Sequence, residues 1–240
     1  MIAFLLIWQL SLQGNERLIF YFGLPSRIWG YVVAKSMDGS LPRDILVTLG
    51  EALIGFVLGN FLGTLIGLSL WFSNSLFRIA KPYIIALGSA PIFALAPLMI
   101  IWFGTGLFSK IMMATLSTVF VALFQAYTGA AEVDKTYLKL LQSMKASKTQ
   151  VFRKVIAPSS VVWVLSAFKI NVGFALLGAF IGEYISSSEG LGHLILVASG
   201  LFDISLVLTG VLFLMVIAVS LSWLAGKLES PIKKLVAKSL

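Results

Sequence analysis

The chain has no cysteine, a single histidine (His193) and few charges: 18 Lys and Arg and 10 Asp and Glu in 240 residues, 12% of the whole. Without cysteine there is no disulfide, thiolate metal site or cysteine nucleophile, and one histidine excludes a His-cluster zinc site. A soluble domain carries about 25% charged residues, so half that share leaves too little polar surface to cover a water-soluble fold. A phosphate loop of the form G-x-x-x-x-G-K-[ST] is also missing, since the only Gly-Lys pair, Gly226 and Lys227, is followed by Leu228. Any ATP chemistry must therefore come from another chain. No catalytic residue, cofactor or metal is expected. The net charge of +8 would suit nucleic acid only as a basic patch, and the basic residues lie instead between apolar blocks.

What is present is hydrophobic: 59% of residues, with a mean hydropathy of +0.99. The intervals 52–77, 82–109, 111–131 and 204–226 contain no charge, and 155–183 is interrupted only by Lys169 before it ends at Glu183. Each is long enough to cross a hydrocarbon core of about 30 Å as a helix. Lipid offers a strand edge no hydrogen-bond partner, so these segments must be helical. The apolar stretch 1–12 falls short of the ~17 residues a span needs. Lacking a basic start and a small-residue cleavage site, it reads as a short or truncated first span rather than a signal peptide. The expectation is an all-α integral membrane protein of about six transmembrane helices, one transmembrane domain over residues 1–240.

Lys and Arg set the orientation. Arg78, Lys81, Lys135, Lys139, Lys145, Lys148, Arg153, Lys154, Lys227, Lys233, Lys234 and Lys238 fall on one side. Arg17, Arg27, Lys35, Arg43 and Lys110 fall on the other. By the positive-inside bias, the loops after the second and fourth spans and the C-terminus face the cytoplasm. Glycines 50, 55, 59, 63 and 67 recur along the second span. That spacing lets helix backbones approach, within the bundle or in a homodimer. Pro91 and Pro97 predict a kinked third span.

The only long polar segment is 132–158. It predicts two short helices: an amphipathic one over about 133–144 with Leu138, Leu141, Gln142 and Lys145 at helical spacing, and a second opened by the capping box Ser147-Lys-Thr-Gln150. Val151, Val155 and Ile156 give the second an apolar face, and Pro158 marks the start of the next span. Such a pair is a docking surface or an ordinary interfacial loop.

The run Lys145-Ala-Ser-Lys-Thr-Gln-Val-Phe-Arg-Lys-Val-Ile-Ala-Pro158 resembles the cytoplasmic EAA loop of binding-protein-dependent ABC transporter permeases, in particular the nitrate/sulfonate/taurine group. Ala90-Pro91-Ile-Phe-Ala-Leu-Ala-Pro97 with Ile101-Trp-Phe-Gly-Thr-Gly106, and Glu183 followed by Gly190-Leu-Gly192, match the group in the same order. The resemblance covers a core region of 45–233. It implies a type I importer permease in a bacterial-type inner membrane. It further implies a cytoplasmic ATP-binding subunit on a coupling loop formed by Leu141, Met144, Lys145, Ala146, Ser147, Gln150, Val151, Phe152 and Pro158. A second permease copy completing the pathway, membrane lipid around it, and a periplasmic or lipid-anchored substrate-binding protein are the remaining partners. The group handles sulfonates, taurine, nitrate, bicarbonate and vitamin precursors. Two departures stand out: the acidic-Ala-Ala start falls on Lys139-Leu140-Leu141, and the loop glycine falls on Lys145, which must turn without glycine's freedom at positive φ.

Five polar residues are candidates for the pathway or its gate. Lys169 could attract an anionic substrate, or snorkel or pair with a neighbouring helix. Glu183 could gate the periplasmic end or simply close a helix there. Asn60, Gln125 and Asn171 could line a pore or hydrogen-bond between helices. Glu51 reads as interfacial, and His193 is given no chemistry. An ATPase-independent transporter or channel would instead show paired intramembrane charges or an internal repeat, and neither is visible.

Overall fold

The computed structural model describes residues 2–239, without the side chains of residues 2, 4, 135, 228 and 230–239. Met1, where the first expected span begins, and the side chains of Lys135, Lys233, Lys234 and Lys238 in the charge count lie outside the described residues. The described chain is helical: α1 (Ile2–Leu12), α2 (Glu16–Phe22), α3 (Pro25–Met37), α4 (Ser40–Leu70), α5 (Asn74–Gly88), α6 (Ile92–Phe103), α7 (Leu107–Ala131), α8 (Lys135–Ser143), α9 (Lys148–Val151), a π-helical turn (Phe152–Ile156), α10 (Ala157–Ser186), α11 (Leu191–Gly200) and α12 (Ile204–Ser239).

Four stretches are long and apolar enough to cross a membrane: α4, α7, the run Lys148–Ser186 and Ile204–Lys227. Helices α5 and α6 meet at 94°, as one broken span or a re-entrant loop. Pro91 caps α6, and its missing N–H and fixed φ stop α5 from running through. The described residues thus hold up to five spans rather than about six, because α1 has 11 residues and rises only about 16 Å.

The helix α4 packs along α7, and α7 along α10. In α4 the glycines at 55, 59, 63 and 67 face α7 so closely that a Cβ at each would sit 1.8–2.3 Å from Ala114, Thr118, Val119 or Leu123. Gly50 faces open space. The small-residue spacing is therefore spent on an internal seam, where close approach gives dispersion contacts that lipid cannot supply. A buried core of Leu41, Ala114, Val172, Leu191 and Ile217 joins α4, α7, α10, α11 and α12.

The bundle has two distinct ends. One carries the α4–α5 turn and residues 132–156 (the loop end). The other gathers the starts of α4 and α7, the end of α10 and the start of α11 (the far end).

Candidate functional site

At the loop end the two short helices form as their local sequence dictates. The Asp134 carboxylate caps α8 by accepting from the Thr136 N–H at 2.8 Å. That bond holds its carboxyl below the ordinary carboxylate range. α8 closes in a Schellman motif: the Ala146 N–H donates to the Leu141 carbonyl (3.0 Å) and the Lys145 N–H to that of Gln142 (2.9 Å). The C′ position of that motif is Lys145, at φ 54°, a conformation that disfavours any residue with a Cβ. Ser147 then caps α9 with both capping-box bonds present, the Gln150 N–H to Ser147 Oγ and the Ser147 N–H to Gln150 Oε1.

α9 is not separate from the span that follows. The helix runs from Lys148 through the π-turn into α10, so the membrane-crossing helix does not begin at Pro158 as the sequence suggests. Pro158 has no N–H to give to residue 154, and the widened turn, with the Ala157 N–H reaching the Phe152 carbonyl, accommodates it.

Val151 and Ile156 are buried with Ala130 and Val133, and Leu141, Ala146 and Phe152 pack on them. Lys148 Nζ donates to the Phe72 carbonyl and lies over the Trp71 ring. The Phe152 ring meets those of Trp71 and Phe72 at 5.7 and 4.8 Å. On the outward face Tyr137, Leu140 and Met144 are exposed, Met144 at 71%. This end therefore offers an apolar, basic-rimmed surface on a helix pair anchored to three spans.

At the far end lies a buried polar cluster. Glu183 is fully buried; its Oε1 accepts from Thr48 Oγ1 (2.7 Å) and its Oε2 from the Gly192 N–H (2.7 Å). Thr48 Oγ1 in turn accepts from the Leu191 N–H at 2.9 Å. Glu183 thus caps the start of α11, where free N–H groups and the helix dipole favour an anion. The Gly190-Leu-Gly192 motif follows from this. Gly190 has φ +99°, and a Cβ on it would stand 2.2 Å from Glu183 Oε1; one on Gly192 would stand 2.7 Å from Glu183 Cβ. Glu51 (2% exposed) contacts the Glu183 carboxyl group, and Lys110 (2% exposed) donates to the carbonyls of Thr105 and Gly106. Glu51, expected at the membrane interface, and Lys110, expected between two spans, are both buried within the bundle.

The other candidates separate. Lys169 pairs with Glu229 of α12. Asn171 Nδ2 donates to Asn60 Oδ1 (2.7 Å) and to the Thr118 carbonyl (3.2 Å), and both asparagines are buried between α4, α7 and α10. Gln125 is half-buried on α7. The cavity between α4, α10 and α12, about 360 Å³, is apolar, walled by Phe56, Phe168 and Leu221 among others. Among the described residues no group of three or more His, Asp or Glu is placed to hold a metal.

Residues 48–234 match the family model described as "Binding-protein-dependent transport system inner membrane component". A probable ABC transporter permease protein of Haemophilus influenzae is 33% identical over 92% of this chain and 91% of its own length. The formylaminopyrimidine transport permease protein of Halalkalibacterium halodurans is 31% identical over 79% of this chain and 75% of its own. An inward-facing structure of a methionine ABC transporter superposes with a TM-score of 0.73 over 82% of this chain and 98% of that one, at 17% identity, a likeness of fold. The chain belongs to the binding-protein-dependent transport system inner membrane components, and is a multi-pass permease subunit of an ABC importer with the type I fold.

Proposed function

We propose that this permease is one half of a solute pathway, a single domain over 1–240 whose residues 132–158 dock on a cytoplasmic ATP-binding subunit. The observation that carries the reading is the outward apolar face of Tyr137, Leu140 and Met144 on a capped helix pair. A membrane protein leaves such a face in the aqueous phase for a partner. Leu141, Ala146, Val151 and Phe152 fix the pair to the bundle, Lys145, Ser147 and Gln150 shape its turn, and Pro158 sets the π-turn that joins it to α10. The loop end and the C-terminus then face the cytoplasm, as the Lys and Arg distribution favours. The far end meets a substrate-binding protein. A second copy completes the pathway, because the cavity between α4, α10 and α12 is apolar and unsuited to a polar solute. Nucleotide-driven closure of the ATP-binding subunits would bias the bundle between two states.

For the substrate we favour a small neutral heterocycle of the vitamin-precursor kind over sulfonate, taurine, nitrate or bicarbonate. Lys169 is matched by Glu229 and Lys110 faces two carboxyl groups, so neither of these two lysines is left for an anion. The similarity to a formylaminopyrimidine permease points the same way. Reconstituted complexes test the docking: deleting residues 144–151 should abolish substrate-stimulated ATP hydrolysis, and undiminished stimulation would end the proposal. For the substrate, a formylaminopyrimidine should compete for uptake and taurine should not. A tenfold loss of anion uptake in Lys169→Gln, with assembly intact, would reverse that choice.

A further inference from the structure

The far-end cluster has a charge problem that the importer reading does not address. Two carboxyl groups, Glu51 and Glu183, touch each other in the interior. One ammonium, Lys110, faces them from α7, and it is already held by the carbonyls of Thr105 and Gly106. The remaining charges nearby are spoken for: Asp44 accepts from the Gly190 N–H at 2.8 Å, and Arg43 pairs with Glu189. His193 of α11 lies near Asp44, and its Nδ1 is buried without a hydrogen-bond partner. Two adjacent carboxylates in a dry interior repel strongly, and a net negative cluster would be costly to bury.

The hydrogen bonds separate the two groups. Glu183 behaves as an ion, both of its oxygens accepting from fixed donors, Thr48 and Gly192. Glu51 does not: its Oε2 is buried with no donor in reach. An unpaired buried carboxylate oxygen is expensive, whereas a carboxyl group that carries a proton can donate to a neighbouring carboxylate.

We propose that Glu51 and Glu183 form a proton-binding site, in which Glu51 holds one proton and donates it to the Glu183 carboxylate. With Lys110 charged, the cluster is then neutral. The bound proton completes the acceptor set of the residue that caps α11, and so fastens α4 and α10 to α11. The site is distinct from the docking loop, and its test does not depend on the transported solute.

The assay is infrared spectroscopy and thermal melting of the purified permease in complex with its ATP-binding subunit. At neutral pH the wild type should show a protonated-carboxyl C=O band that shifts when glutamate is isotope-labelled. Glu51→Gln should remove that band and melt like the wild type, because its amide donates to Glu183 as the acid does. Glu183→Gln should melt lower than the wild type, since an amide cannot accept from Thr48 and Gly192 through two separate oxygens. Absence of the band from the labelled wild type would overturn the proposal, whether or not the variants fold. So would equal destabilisation by the two Gln substitutions.

Discussion

The two ends of the bundle solve the problem of polar groups in an apolar molecule in opposite ways. The loop end keeps its charges in water and satisfies its backbone locally, with Asp134, Ser147 and Gln150 each bonding within three residues of their own position. The far end buries Glu51, Glu183 and Lys110 and ties its carboxylates over long range: Thr48 reaches Glu183, 135 residues on, and Asp44 reaches Gly190, 146 residues on. Local caps can form and yield without disturbing the spans, as a docking element requires. Long-range buried bonds yield only together, as a joint between helices requires.

The sharpest way to break this contrast is Gly190→Ala. The new methyl would lie 2.2 Å from a buried carboxylate oxygen, at φ +99°. Steric and backbone strain together should cost about 3 kcal/mol or more, seen as loss of monodisperse protein on extraction or a much lower melting temperature. Gly106→Ala, with nothing within 4 Å of the added atom, should melt like the wild type. If the two variants behaved alike, the far end would not be the close-packed joint described.

At the loop end the matching change is Ser147→Ala, which removes the α9 cap. It should cost about 1 kcal/mol, confined to the loop. Amide exchange at Gln150 and Val151 should accelerate while the melting of the bundle holds. A global loss comparable to Gly190→Ala would mean that the loop is as integral as the far end.

Lys145→Gly tests the same end with the opposite sign. Glycine relieves the strain of φ 54° but adds unfolded-state entropy, and the balance should favour the variant by roughly 0.5–1 kcal/mol of local stability. Slower proteolysis between α8 and α9 would show it. Faster cleavage would mean that the Lys145 side chain holds the turn through contacts that outweigh its backbone strain.

The contrast also explains what could be read from the chain. Spans announce themselves as charge-free intervals because lipid penalises charge residue by residue. The capping box at Ser147 and the demanding turn at Lys145 are written in four to six consecutive letters. Glu51 beside Glu183 is written nowhere locally. It arises because glycines draw α4 against α7 while Gly178 and Gly182 admit α10 to the same helix, a Cβ on either coming within 3 Å of α7. Lys110 looked like a loop charge because a helix start at Leu107 moves it inside by one turn. The 94° break at Pro91 was legible as a kink, but its angle depends on how α6 packs against α7 through Ala96, Met99 and Met113.

The smallest effect expected is a pH dependence at the loop end. Asp134 is fully exposed, and the Thr136 N–H holds its carboxyl below the ordinary carboxylate range. A folded-state value lower than the unfolded one gives stability that is present above the unfolded value and lost as pH falls through the folded one. Protection of the first α8 amides, corrected for intrinsic exchange, should therefore be flat at neutral pH and decline in the acid range. Asp134→Asn keeps an accepting oxygen but cannot titrate, so its protection should stay level where the wild type declines. A parallel decline in both would place the acid sensitivity elsewhere in the loop, and a simultaneous fall in bundle melting would contradict the independence of the two ends.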